Sequence, residues 1–330
     1  MLKKVLLGLA AVLIVLIVAF VIFVNTSYLK DYNEEYPVSE LKVEADSARI
    51  ARGRYLVYGP AHCGHCHVPT DKLGALEAGE EVPLTGGFGL EIPPGKFNAP
   101  NITTHEKGIG RLSDGQIYRM LRHNVRPNGH AAFDFMPFIN MTDEDIYSII
   151  AFLRTTPAVD VDSKDSEYTF LGKMVMALGA IKPGIPDEGI PEKIEPEVTA
   201  KYGEYLAYAV ANCRGCHTNR DMKTGEYIGE EYAGGLVFGP DNLTAGWVYT
   251  TPNLTDDPAT GRLYGWSEDQ FIERMRAGRV HATSPMPWAA VQHMHEDDLR
   301  AIYRFFKSLP PVKNEVKETA TAPSEKASVF

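Results

Sequence analysis

Apolar positions fall along this chain in three patterns. The first is unbroken: Val5 to Val24, "VLLGLAAVLIVLIVAFVIFV", carries no charge. As a helix it would span roughly 30 Å, the thickness of a bilayer core. A cleaved signal peptide would have a shorter apolar run ending in small residues, and the following "NTSYLK" offers no such site. The pattern therefore predicts a membrane anchor over residues 1–28. Lys3 and Lys4 precede it and should keep the short N-terminus cytoplasmic, with everything after about Asn25 outside the cytoplasmic membrane.

The second pattern is helical. Ile146, Ile149, Ile150 and Leu153 recur at helical spacing behind Thr142, a candidate N-cap, and stop before Pro157. Leu299, Ile302, Tyr303 and Phe306 repeat the stripe and stop before Pro310. Asp46 or Ser47 can cap another helix running to about Tyr58. Gly53 and, later, Gly203 would let a second helix cross closely. Phe170 to Ile181 is an apolar stretch fit for a short helix, packed on one module or, as the weaker reading, lying on the membrane surface. The third pattern is the lack of one. Between these helices the text is rich in Gly, Pro, Asn and Thr, which is loop.

The helical plan occurs twice. "RGRYLVYGPAHCGHCH" at 52–67 lines up with "YGEYLAYAVANCRGCH" at 202–217. "APNIT" at 99–103 recurs as "TPNLT" at 251–255, and "LSDGQIYRMLR" at 112–122 resembles "WSEDQFIERMR" at 266–276. "FMPF" at 135–138 recurs as "PMPW" at 285–288. "MTDEDIYSIIAFLRTTP" at 141–157 recurs as "MHEDDLRAIYRFFKSLP" at 294–310. One module is thus used twice, over 46–157 and 199–312. Residues 158–198 read as a linker, extended at its Pro-, Glu- and Lys-rich end. Residues 313–330 hold too few large apolar residues to pack and read as a disordered tail. A module so rich in loop needs something besides side chains to fill its core.

Composition adds two limits. The formal charge is −10, which argues against nucleic-acid binding and suits a solvated surface or a basic partner. The chain has four cysteines, Cys63, Cys66, Cys213 and Cys216, which leaves none for a disulfide framework.

Those cysteines form two C-x-x-C pairs, each followed by a histidine, His67 or His217. C-x-x-C-H is the attachment signature of c-type haem. Two thiols add to the porphyrin vinyl groups, and the adjoining histidine falls under the iron. The macrocycle would then serve as the missing core. Structural zinc would need two further ligands at finger spacing, and His65 has no counterpart, Gly215 standing in its place. A thioredoxin-like site wants a strand–helix context and no histidine. Two motifs in register favour haem.

The sixth iron position then decides the function. Met136 follows His67 by 69 residues, Met286 follows His217 by the same 69, and each precedes a proline. Thioether ligation suits an electron carrier, which ranks these two first. His130 and His281 are rivals. Met120 and Met275 read as core, and Met141 and Met294 fall at the start of the last helix. His62, His105, His123, His293 and His295 lack counterparts and read as surface residues.

These elements carry a resemblance. Each copy resembles a class I c-type cytochrome domain, and the whole is similar to the cytochrome subunits of membrane-bound alcohol and gluconate dehydrogenases. The carriers are the C-x-x-C-H motifs, Asn101-Ile102-Thr103 and Asn253-Leu254-Thr255, Leu112-Ser113 and Trp266-Ser267, and Met136-Pro137 and Met286-Pro287. The endings "FLRTTP" and "FFKSLP" complete the set. Those subunits resemble three such domains in a row, whereas this chain has two and an N-terminal anchor. The resemblance implies an all-α fold with two tandem domains and two covalent haems. Its haem-binding residues would be Cys63, Cys66, His67 and Met136, then Cys213, Cys216, His217 and Met286. His67, Met136, His217 and Met286 would ligate iron, with no catalytic side chain. The expected function is to pass single electrons from a membrane-bound dehydrogenase or quinol-oxidising complex to a terminal oxidase or soluble cytochrome. A di-haem peroxidase with one exchangeable haem is the alternative.

Overall fold

The computed structural model describes residues 1–221 and 224–323. Helix α1, Leu2–Ser27, stands free of the rest along nearly its whole length, with only Val24 buried. Its 26 residues make a rod of roughly 39 Å.

Each sequence repeat is built around a crossed pair of helices. In the first, α2 (Ser47–Tyr58) packs on α6 (Asp143–Leu153); in the second, α8 (Ala200–Tyr205) packs on α12 (Glu296–Ser308). The crossing depends on glycine. A Cβ on Gly53 would lie 1.8 Å from the Ser148 carbonyl oxygen, and one on Gly203 would lie 1.9 Å from that of Ala301. Helix α8 continues into one π-type turn, Leu206–Val210.

Caps set where the helices begin. The Asp46 carboxylate accepts from the amides of Ala48 and Arg49, and Thr142 Oγ1 accepts from that of Asp145. Ser113 and Gln116 form a capping box at the start of α5 (Asp114–His123). Ser267 and Gln270 form the same box on α10 (Glu268–Arg276). The repeated "S-x-x-Q" is thus a helix-start device in both copies. Three short helices complete the first copy and its counterpart: α3 (Cys63–His67), α4 (Leu73–Glu77) and, in the second copy, α9 (Cys213–His217). Helix α11 (Trp288–Val291) follows Met286.

Helices dominate, but the expected all-helical fold omits two small antiparallel sheets. Strands β1 (Gly89–Ile92), β2 (Gly95–Asn98) and β3 (Glu167–Tyr168) form one, in that order; β4 (Val237–Phe238), β5 (Val248–Thr250) and β6 (Ala320–Thr321) form the other. The third strand of each comes from chain expected to be linker or tail. Both segments return to their own repeat after its last helix. Asn101 Nδ2 donates to the carbonyls of Val159 and Val161, and Asn253 Nδ2 donates to that of Val312. Asn314 also donates to the Ala233 carbonyl. Residues 313–323 are therefore not a disordered tail: they close backbone hydrogen bonds that the loops would otherwise leave open. Residues 324–330 lie outside the described residues.

Residues 158–198 likewise do more than link. Beyond β3, α7 (Phe170–Ala177) packs on α1, Ile181 joins a small cluster with Tyr32 and Val125, and Ile194 packs on the main core. That core is one contiguous cluster that takes Leu56, Ile146 and Ile150 from one repeat and Leu206, Leu299 and Phe305 from the other.

The two repeats meet through reciprocal bonds. The Tyr55 hydroxyl donates to the Asp298 carboxylate, and the Tyr205 hydroxyl donates to that of Asp145 at 2.7 Å. Each hydroxyl also accepts one backbone amide, from His295 and Thr142 respectively. Within the first repeat Arg52 holds Asp145 by a bidentate pair at 2.8 and 2.9 Å, and it donates to the Tyr202 hydroxyl of the second.

Candidate functional site

The second copy contains a cavity walled by the sequence-predicted residues Cys213, Cys216, His217 and Met286. Leu254, Phe271, Met275, Trp288 and Leu299 supply apolar lining. Helix α9 presents the two thiols and the imidazole together because they lie within one and a half turns. Its start is set by Asn212 in the left-handed region, φ 51°. His62 holds the same conformation ahead of α3, φ 44°. In the first copy, Cys63 and Met136 pack on the same core cluster, and His67 is buried on α3.

Each motif histidine is oriented in the same way. The Nδ1 of His67 lies 2.8 Å from the Pro100 carbonyl oxygen, and that of His217 lies 3.1 Å from the Pro252 carbonyl oxygen. A carbonyl can only accept, so Nδ1 carries the proton and Nε2 keeps a free lone pair. Burial also pushes both imidazoles below their ordinary range, against the opposing carbonyl, which keeps them neutral. The chain behind them is tied back by Gly86, whose amide donates to the His67 carbonyl, and by Gly234, which does the same for His217. Both glycines have positive φ, 77° and 72°. The Asn-x-Thr elements stabilise the next loop. Asn101 Oδ1 accepts from the Thr103 amide and hydroxyl, and Asn253 Oδ1 accepts the same pair from Thr255.

The thiols are free and not oxidised to disulfides. Burial pushes Cys63 and Cys213 up to about 12 and Cys66 up to about 11. Thiol–disulfide catalysis needs the opposite shift, toward thiolate at neutral pH. Among the described residues no group of three His, Cys, Asp or Glu side chains could hold a metal ion. A tetrahedral zinc site therefore has no ligand set here. What the cavity offers is an apolar slot with two protonated thiols at one edge, an Nε2 lone pair and a thioether. Those are the groups that a covalently attached haem requires.

The other methionines and histidines sort by position. Met141 and Met294 are fully buried core residues at the start of the last helix in each copy, and Met294 also touches the cavity. Met275 lines the cavity too, while Met120 is only partly covered. The Nδ1 of His130 lies 3.0 Å from the Lys30 carbonyl oxygen. His281 shares the cavity wall with Met286 and sits 5.1 Å, centroid to centroid, from the Trp247 ring.

Two histidines expected at the surface are not there. His123 is half-buried, with Nδ1 3.1 Å from the Gly184 carbonyl oxygen and its ring against Tyr36. His62 of the first copy lines the second copy's cavity beside Asn212 and Cys213, and its enclosed Nδ1 has no hydrogen-bond partner among the described residues. The sequence held one signal for this: His62 occupies the position of Asn212, next to the first motif cysteine. The two sites adjoin on another side as well. Helix α11, just past Met286, packs on α3 and α4 of the first copy, where Arg279 pairs with Glu77 at 2.7 Å.

The comparisons with known proteins agree with this chemistry. No family model matches the chain. The cytochrome c subunit of a quinone-type alcohol dehydrogenase from Gluconacetobacter polyoxogenes is 30% identical over 82% of this chain and 58% of its own length. The cytochrome c subunit of gluconate 2-dehydrogenase from Pantoea cypripedii is 30% identical over 81% of this chain and 60% of its own. A diheme c-type cytochrome of Cereibacter sphaeroides is 35% identical over 36% of this chain and 39% of its own. The chain thus spans a little over half the length of the dehydrogenase subunits it matches. On these similarities and its two C-x-x-C-H motifs, the chain is homologous to the cytochrome c subunits of alcohol and gluconate dehydrogenases and to a diheme c-type cytochrome, which implies covalently bound c-type haem.

Proposed function

We propose that this protein is a membrane-tethered di-haem electron carrier. One haem is attached at Cys63 and Cys66 with His67 and Met136 as iron ligands; the other is attached at Cys213 and Cys216 with His217 and Met286. A haem with His and Met ligands exchanges single electrons between ferrous and ferric iron with little rearrangement and a raised potential. The chain's own part is to hold the ligands and exclude water. The observation that carries this reading is the cavity in which Cys213, Cys216, His217 and Met286 converge, with His217 Nδ1 already occupied by a carbonyl. Met136 is favoured over His130, and Met286 over His281, because each methionine follows its motif histidine by the same 69 residues and thioether ligation suits an electron carrier.

The two sequence repeats, near 46–157 and 199–312, are read as class I cytochrome c domains, each completed by the returning strand described above. Helix α1 is long and apolar enough to cross a membrane, and Lys3 and Lys4 favour a cytoplasmic N-terminus. The haem-bearing part then lies on the outer side. The chain's relatives, cytochrome subunits of dehydrogenases, point to a dehydrogenase as electron donor; a quinol-oxidising complex is the second choice, with a terminal oxidase or soluble cytochrome as acceptor. The peroxidase alternative gains no support from these relatives. Purification from membranes in mild detergent tests the reading. Two haems per chain, both low-spin in the reduced state and closed to carbon monoxide, are expected. Stoichiometric carbon monoxide binding at one haem would defeat the pure-carrier reading.

A further inference from the structure

The chain leaving α1 does not swing free. It lies along the first repeat as a strap: the Tyr32 amide donates to the Gly129 carbonyl at 2.9 Å, and the Val43 amide to Asp114 Oδ2 at 2.9 Å. Arg119, only 2% exposed, donates to Asn33 Oδ1 and to the carbonyls of Tyr36 and Arg126. The first repeat is therefore fixed relative to the end of the membrane helix.

Helix α7 sits at that end. Lys173 Nζ donates to Asn25 Oδ1 at 3.1 Å and lies over the Tyr28 ring, and Tyr28 packs edge-on against Tyr168. Gly172 and Met176 are buried, Gly172 against the Pro94 carbonyl of the first repeat. The other side of the helix is bare. Phe170 is 47% exposed, Leu171 40% and Leu178 61%. Leu171 and Leu178 stand two turns apart on one face. Phe135, also exposed, belongs to the aromatic group that joins Phe97, Phe133 and Tyr168 beside α7.

We infer that this face of the first repeat rests in the interfacial layer of the phospholipid bilayer, with α7 lying along the membrane surface. Continuity argues for lipid as the occupant. The patch begins where α1 ends, and α1 itself is bare apolar surface up to that level. Aromatic rings and a lysine at such a level are what a membrane–water boundary selects. The inference rests on the reading of α1 as a membrane span.

The test uses the full haem-loaded chain in phosphatidylcholine–phosphatidylglycerol nanodiscs. A photoreactive residue is placed at four exposed positions in turn: Leu13→p-benzoylphenylalanine in α1, the same change at Leu171 and Leu178, and the same change at Ile228 in the second repeat as a control. Phospholipid adducts, read by mass spectrometry, are expected at Leu13, Leu171 and Leu178, several-fold above Ile228. Lipid adducts at Leu13 with none at Leu171 and Leu178 would overturn the inference and leave the membrane span standing. Chain-to-chain adducts at Leu178 would overturn it in favour of a second copy. No lipid adduct at Leu13 would remove both readings.

Discussion

His62 stands in the wall of the cavity that holds His217, although the two belong to different repeats. Burial pushes the His62 imidazole down to about 3. The unfolded chain accepts a proton near 6.5, and the folded chain refuses it until about 3. Stability is thus full above pH 6.5 and is lost as pH falls toward 3, by up to about 1.4 kcal/mol per unit. His62→Asn, which installs the residue found at 212, should remove that slope and lower the midpoint of acid unfolding. Unfolding followed by far-ultraviolet circular dichroism across pH 3 to 7 measures it. An unchanged acid midpoint would show that His62 is hydrated in solution.

The hydroxyl of Tyr55 bridges to the second repeat through Asp298, which is 3% exposed and has no other side-chain partner among the hydrogen bonds described. Tyr55→Phe leaves that carboxylate buried and without its donor. A loss of about 1–3 kcal/mol is expected in urea unfolding. In a double-mutant cycle, Tyr55→Phe and Asp298→Asn should couple; simple additivity would show that the bond does no stabilising.

Gly53→Ala and Gly203→Ala each force a methyl group into a backbone carbonyl of the facing helix. Neither carbonyl can move without shifting its helix, so a cost at the upper end of about 1–3 kcal/mol, or more, is expected. Gly8→Ala, with open space around it, is the matched control. Thermal unfolding that ranks all three alike would contradict the close crossing.

Met286→Ala should keep the second haem attached, open its iron to one carbon monoxide per chain and lower its potential, because a thioether ligand raises it. Met136→Ala should do the same at the first haem. Met294→Ala, which removes a core side chain that also touches the cavity, should cost about 2–5 kcal/mol of stability and leave the iron closed to carbon monoxide. Carbon monoxide binding in Met294→Ala instead of Met286→Ala would move the ligand assignment.

The features that could be read from sequence are those decided within a few residues. Asp46 and Thr142 announce their helices because a cap acts on amides two or three positions away. The paired motifs and the 69-residue spacing to Met286 were legible because the repeat printed them twice. What stayed hidden depends on distant contacts. Nothing near Glu167 or Ala320 says that these residues will close a sheet, since their partners lie some 70 residues upstream. His62 reads as incidental until the second repeat folds against it. Arg119 did leave a trace. It lies on the buried side of α5, and its counterpart in the second repeat is the exposed Glu273. An arginine there needed carbonyls to bond, and the strap supplies them.

The crossed pair of tyrosine–aspartate bonds has a larger meaning. Tyr55 reaches Asp298 as Tyr205 reaches Asp145, so each repeat gives and receives the same contact. That is how two identical subunits meet about a two-fold axis. Here both partners are on one chain, and their association does not weaken on dilution. Being covalently joined also frees them from identity. A symmetric dimer must place any substitution at both sites, whereas this chain can keep His62 opposite Asn212, Arg52 opposite Tyr202 and Thr142 opposite His295. Two sites of common design can thereby acquire different surroundings, which is what a directional relay needs.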